Sequence, residues 1–187
     1  MEAGGATLGF TEEERAALSQ LEDLLKLDFH SLERLSAEPA EILPHLLLGS
    51  RMHAICPEQL KKQGVTHVLN CASAQVSTGT RLYAPHGIVY DEFKSDDREG
   101  YNIMAHFDQF SALADEVGRQ GGRLFVHCEA GVNRSGTLSV AYHVSRSGMS
   151  LLDSARHCKK QRGRICTNAD FQVQLFRFAL SRNLPLE

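Results

Sequence analysis

The sequence predicts a single α/β domain whose central sheet is largely parallel and flanked by helices. Three observations carry that prediction. Short apolar runs of strand length alternate with longer stretches of helical periodicity. The connections between strand-like runs are of crossover length, which is how parallel strands are joined. A chain of 187 residues also suits one domain with a substantial core.

Each element has its own local signal. Residues 1–9 are small and Gly-rich and read as a frayed end. Thr11-Glu12-Glu13-Glu14 reads as a capping box, and Leu18, Leu21 and Leu25 follow on one helical stripe. A second short helical piece covers Phe29 to Leu35. Glu38-Pro39-Ala40 breaks the pattern, so residues 1–40 are expected to be a helical extension and 41–187 the main domain. Within that domain, Ile42 to Leu48 is strand-like and ends at Gly49-Ser50, and Pro57 to Gln63 is a short helix closed by Gly64. Val65 to Leu69 and Ile88 to Phe93 are strands, and Tyr101 to Val117 is a long amphipathic helix. Arg123 to Val126 is a buried strand, followed by helices over Ser135 to Ser147, Leu151 to Gln161 and Asn168 to Ser181.

Composition narrows the function classes. Apolar residues at 42% and charged residues at 23% are ordinary for a soluble globular chain. A net charge of -3 argues against a nucleic-acid partner bound by phosphate neutralisation. No apolar run approaches the roughly 18 residues that span a bilayer, and the N-terminus has no signal-peptide core, so no membrane association is expected. Cys56, Cys71, Cys128, Cys158 and Cys166 are odd in number and lie in no CxxC or Cys/His ligand spacing. That favours reduced thiols in a cytoplasmic or nuclear setting, with neither a metal nor another cofactor expected.

The decisive segment runs from Leu124 to Tyr142. Leu124-Phe125-Val126 leads into His127-Cys128-Glu129-Ala130-Gly131-Val132-Asn133-Arg134-Ser135, and Ser135-Gly136-Thr137-Leu138 opens a helix. A tight loop between Cys128 and Arg134 can turn its backbone N–H groups inward as an anion nest at a helix N-terminus. The amides of Glu129, Ala130, Gly131, Val132 and Asn133 are therefore candidate substrate contacts, and Gly131 permits the backbone turn. The same nest and dipole favour a thiolate at Cys128, the candidate nucleophile. Arg134 offers a planar fork to two phosphoryl oxygens, both to bind them and to stabilise the transition state. A cysteine between strand and helix is often just a small buried residue. Here that bland reading requires His, Cys, Gly, Arg and Ser to coincide at five fixed places.

This string resembles the HCxxGxxR(S/T) signature of the protein tyrosine phosphatase superfamily and matches it at every fixed position. Residues 41–182 resemble its small atypical dual-specificity phosphatases, which lack a rhodanese-like domain. Ile42, Pro44, Leu48, Gly49 and Ser50 match the start of their domain, and Val65-Thr66-His67-Val68-Leu69-Asn70 looks like their second strand. The Leu21-Glu22-Asp23-Leu24-Leu25 helix is similar to an extra helix that some members place beside the active site. The resemblance implies hydrolysis of phosphotyrosine and phosphoserine or phosphothreonine in proteins through a cysteinyl-phosphate. It assigns general-acid work to Asp97 rather than Asp96 in the loop Ser95-Asp96-Asp97-Arg98, thiolate stabilisation to Ser135, and loop support to His127.

Some residues depart from that pattern. Asn133 stands where protein phosphatases commonly have Ser or Gly, and Gly131-Val132-Asn133-Arg134-Ser135-Gly136 also looks like the loop of RNA 5′-triphosphatases. That keeps RNA 5′-triphosphatase or polyphosphate phosphatase activity, or a catalytically weak phospho-binding module, as alternatives. The loop lacks the lysines of inositol-lipid phosphatases. Relatives often read Arg-Pro-x-Ile-x-Pro-Asn-x-Gly-Phe where this chain has Arg162-Gly163-Arg164-Ile165-Cys166-Thr167-Asn168-Ala169-Asp170-Phe171. Lys159, Lys160, Arg162 and Arg164 read as a solvated basic face, or else as a second anionic subsite. Cys71, just past a strand end, reads as a packing residue or as a resolving thiol for Cys128.

Overall fold

The computed structural model describes residues 9–26 and 37–187. The expected helical piece from Phe29 to Leu35 lies outside the described residues. Helix α1 (Glu12–Leu25) begins at the expected capping box, in which Thr11 Oγ1 accepts from Glu14 N–H and Glu14 accepts from Thr11 N–H. Its buried face is Ala17, Leu18, Leu21 and Leu25.

The strand read as one run from Ile42 to Leu48 is a hairpin. Strands β1 (Ala40–Leu43) and β2 (Leu46–Gly49) pair antiparallel, with Ala40 opposite Leu48. Pro44 and His45 make the turn, because Pro44 has a fixed φ and no N–H for a ladder. Short helices α2 (Arg51–Ala54) and α3 (Pro57–Lys62) follow. Then come β3 (His67–Asn70), α4 (Thr80–Tyr83) and β4 (Val89–Glu92). The expected helix from Tyr101 is a 3₁₀ turn over Ile103–His106 followed by α5 (Phe107–Arg119), since Asn102 caps the segment by accepting from Ala105 N–H. Strand β5 (Leu124–His127) and helices α6 (Arg134–Ser147), α7 (Leu151–Arg162) and α8 (Ala169–Ser181) complete the order.

The five strands lie in the order β1-β2-β5-β3-β4, and every pairing except β1 with β2 is parallel. Strand alternation splits the core into two layers. Leu46, Leu48, Leu69, Leu124 and Val126 face one hydrophobic cluster, with residues of α1 and α5 to α8, while Leu47, Val68 and Phe125 face the other, with α2 to α4. Central strands buried on both faces therefore read as unbroken apolar runs rather than alternating ones. The stripe of α1 belongs to the larger cluster and lies against α7 and α8. Lys159 Nζ closes the C-terminal end of α1 by donating to Leu24 O at 2.7 Å. No helix among the described residues is long and apolar enough to cross a membrane.

The parallel register decides where the site lies. Gly49 of β2 and Asn70 of β3 both pair with His127 of β5. Three parallel strands thus end at one edge, where α/β sheets place their ligand crevices.

Candidate active site

Cys128 to Asn133 form the turn between β5 and α6 at that edge. The loop's carbonyls are held from outside it. Cys128 O accepts from His127 Nδ1–H at 3.1 Å, and Glu129 O from Arg51 N–H at 2.9 Å. Ala130 O and Gly131 O accept from the Arg162 guanidinium at 3.0 and 3.1 Å, and Val132 O from Cys166 N–H at 2.9 Å. In a trans peptide the C=O and the following N–H point opposite ways. Anchoring these carbonyls therefore turns the amides of Glu129 to Asn133 toward the loop's interior, as an anion nest requires. Gly131 has φ 67°, and a Cβ there would collide with the Gly49 carbonyl, so both backbone and space demand glycine.

Cys128 is buried at the bottom of this cradle. Its Sγ accepts from Gly131 N–H at 3.2 Å and from Ser135 Oγ–H at 3.2 Å. His127 is fully buried, and burial pushes its imidazole down to about 4, so it is neutral near pH 7. Its proton sits on Nδ1, since Cys128 O can only accept. Arg134 opens α6 and is 5% exposed. One terminal nitrogen donates to Gln75 Oε1 at 2.9 Å and to Ser95 O at 3.1 Å, while its Nε is buried with no acceptor among the described residues. A guanidinium held from behind with an unmatched N–H is suited to an anion that the chain itself does not provide. Glu129 and Ala130 are exposed at the mouth, and Val132 is buried.

Asp97 stands on an exposed loop after β4, yet its carboxylate reaches the phosphate-loop side chain of Asn133. Asn168 Nδ2 also donates to it, at 3.0 Å. Asp96 instead pairs with Arg98 at 3.6 Å and accepts from Gln75 at 3.4 Å. Of the two adjacent acids, Asp97 is thus the one tied to the phosphate loop.

Sequence reasoning missed several contributors. Arg162 is neither on a solvated face nor in an outer anionic subsite. It is 1% exposed and braces the loop from beneath, and burial lowers its pKa. The available signal was that Arg162 matches the arginine opening the Arg-Pro-x-Ile pattern that relatives often have there. Lys159 is likewise occupied, at the end of α1. Gln75 and Ser95, which orient Arg134, carry no local pattern. Cys71 follows Asn70 and so lies one register step beside Cys128, with its N–H on His127 O at 2.8 Å. Burial raises its thiol pKa well above the ordinary value. Among the described residues, no group of three or more His, Cys, Asp or Glu is arranged to hold a metal ion.

Comparison with known proteins agrees with this geometry. Residues 46–180 match the model of the dual specificity phosphatase catalytic domain. The chain is 37% identical over 137 residues to dual specificity protein phosphatase 1 of Arabidopsis thaliana, covering 73% of this chain and 67% of that one. It is 34% identical over 140 residues to human dual specificity protein phosphatase 2, covering 75% and 43% respectively. The aligned segment spans 67% of the Arabidopsis thaliana relative but only 19% of the protein phosphatase Slingshot homolog of Xenopus laevis. The crystal structure of human DUSP28 superposes with a TM-score of 0.71 at 26% identity, covering 79% of this chain and 97% of that one. The anchored loop, the buried cysteine and these matches converge: the chain belongs to the dual specificity phosphatase family.

Proposed function

We propose that this chain is a cysteine-dependent protein phosphatase hydrolysing phosphotyrosine and phosphoserine or phosphothreonine through a cysteinyl-phosphate. One observation carries the reading. A buried sulfur receives two hydrogen bonds inside a loop whose carbonyls all face away, beside an arginine with an unmatched buried N–H. The relatives' descriptions as protein phosphatases favour it over the RNA 5′-triphosphatase and binding-module alternatives.

In this reading the Cys128 thiolate attacks phosphorus, and the P–O bond to the substrate breaks in line. Asp97 gives its proton to the departing oxygen. Asp97, now a carboxylate, then takes a proton from water as that water attacks the cysteinyl-phosphate. The S–P bond breaks, and the Ser135 hydroxyl stabilises the returning thiolate. Arg134 and the amides of Glu129, Ala130, Gly131, Val132 and Asn133 bind the phosphoryl oxygens and stabilise both transition states. His127 supports the loop through its bond to Cys128 O.

A groove of about 320 Å³ adjoins the cradle, lined by Arg51, Met52, Ile55 and Gln75 to Thr78. Met52 and Ile55 are 60% and 53% exposed there, which supports a peptide flank rather than a free small phosphate as the substrate's remainder. The catalytic unit is read as 41–187, preceded by an N-terminal extension whose helix α1 shares its core. A cytoplasmic or nuclear compartment is supported by five free thiols.

Cys128→Ser tests the reading. Turnover of phosphotyrosine and phosphothreonine peptides is expected to vanish while phosphopeptide binding survives. Activity comparable to the unaltered chain would end the proposal.

A further inference from the structure

Asn133 has a side chain with more to do than its neighbours in the loop. Its backbone belongs to the nest, but its half-buried carboxamide points out of the cradle and joins three segments. Oδ1 accepts from Thr167 N–H at 2.7 Å, from Thr167 Oγ1 at 3.1 Å and from Asn168 N–H at 3.1 Å. Nδ2 donates to Asp97 Oδ1 at 3.2 Å and Oδ2 at 3.1 Å. The partners settle the amide's orientation, since two backbone N–H groups need an acceptor and a carboxylate needs a donor.

We propose that Asn133 is a positioning residue for the acid step: its carboxamide holds Asp97 against the phosphate loop while fastening the 165–168 segment to it. The proposal rests on the reading of Asp97 as the general acid.

Three further facts support it. Asp97 is exposed, so water competes for its carboxylate and its position depends on whatever side chains bond it. The second donor to it, Asn168, is itself placed by Asn133. The Asn168 N–H bonds Asn133 Oδ1, and Asn168 Oδ1 caps α8 through Asp170 and Phe171 N–H. One carboxamide therefore makes one contact to the acid and helps place the other. The fastened segment also contains Cys166 at φ 52°, a left-handed conformation that costs energy for a residue with a Cβ. It is held there by Cys166 N–H on Val132 O at 2.9 Å and by Gln172 Nε2–H on Cys166 O at 2.7 Å. The next residue, Thr167, supplies an N–H that a proline could not. Asparagine at 133 and a non-proline at 167 thus form one device. A serine at 133 is too short to reach both Asp97 and the 167 amide.

Placing a general acid matters most when the leaving group is poor, because proton transfer then limits the step. Asn133→Ser in the full chain is expected to lower kcat on a phosphothreonine peptide about tenfold. On an aryl phosphate with a very good leaving group the loss is expected to shrink below about threefold. Combining it with Asp97→Asn should add nothing to the loss from Asp97→Asn alone, because the positioned group is gone. Equal losses on both substrates, or losses that multiply in the double variant, would overturn the proposal and reduce Asn133 to a loop support. So would unchanged phosphopeptide turnover in Asn133→Ser when Asp97→Asn is slow. If Asp97→Asn itself leaves phosphopeptide turnover intact, the acid assignment falls and takes the proposal with it. Persistent dependence on Cys128 would then show the nucleophile reading untouched.

Discussion

The phosphate loop and the Asp97 loop face each other across one site, yet they are held by opposite means. The first is anchored by backbone carbonyls, by the buried Arg162 and by glycine at a position where a Cβ would strike Gly49. The second is exposed and bonded to the first through asparagine side chains. The contrast has a chemical logic. Phosphoryl oxygens need several donors fixed before substrate arrives, and fixed donors stabilise charge without reorganising. If Asp97 is the acid proposed above, it must approach leaving oxygens of different alcohols, and an adjustable tether at the surface suits that task.

Four measurements can break or sharpen that contrast. The largest expected effect on turnover comes from Asp97→Asn, which should slow phosphopeptide hydrolysis by roughly 10²- to 10⁴-fold. Melting should hardly move, because the residue is exposed. The same pattern in Asp96→Asn instead would shift the acid by one residue.

Arg162→Met attacks the other loop. The Ala130 and Gly131 carbonyls lose their donor, and leaving the buried Gly131 acceptor unmatched costs about 1–3 kcal/mol. Vanadate affinity and kcat should therefore fall together, with melting lowered as well. Loss of kcat with vanadate affinity preserved would mean that the loop does not need its brace.

Leu21→Ala probes a region outside both loops. Leu21 is fully buried in the stripe of α1, so stability should drop by about 2–5 kcal/mol while KM and kcat per folded molecule stay put. Altered kinetics at a temperature well below the transition would connect α1 to the site.

The last test is one of pH. Burial pushes His127 and His143 from the ordinary 6.5 down to about 4. Between those values the unfolded chain binds protons that the folded one does not. Stability should then be fullest above pH 6.5, decline as pH falls toward 4 and level off below it. For His127 alone the loss is at most about 3 kcal/mol. A denaturation midpoint unchanged from pH 7 to 4.5 would contradict the buried neutral imidazole and with it the stiffness assigned to the phosphate loop.

Much of this was legible in the chain because its signals are local. The capping box of α1, the apolar strands and the spacing from Cys128 to Arg134 each complete themselves within about one turn or one loop. The hairpin was misread because Pro44 and His45 interrupt an apolar run that otherwise looks continuous. Arg162 was misread because a cation at a helix end resembles any solvated cation until its neighbours are known.

The sequence by itself determined the family and its chemistry, the largely parallel sheet, and the cysteine and arginine proposed as nucleophile and phosphate fork, since these follow from residue types at short spacing and from the alternation of strands and helices. Only the tertiary structure decided which cation lies under the loop, which of two adjacent acids touches it, and what Asn133 does there. Those contacts join residues 31 to 36 positions apart, through hydrogen bonds whose partners come together only when the sheet edge brings separate crossovers side by side. A hydrogen bond needs its two atoms within about 3.5 Å of each other, and no periodicity along a chain encodes that distance between crossovers.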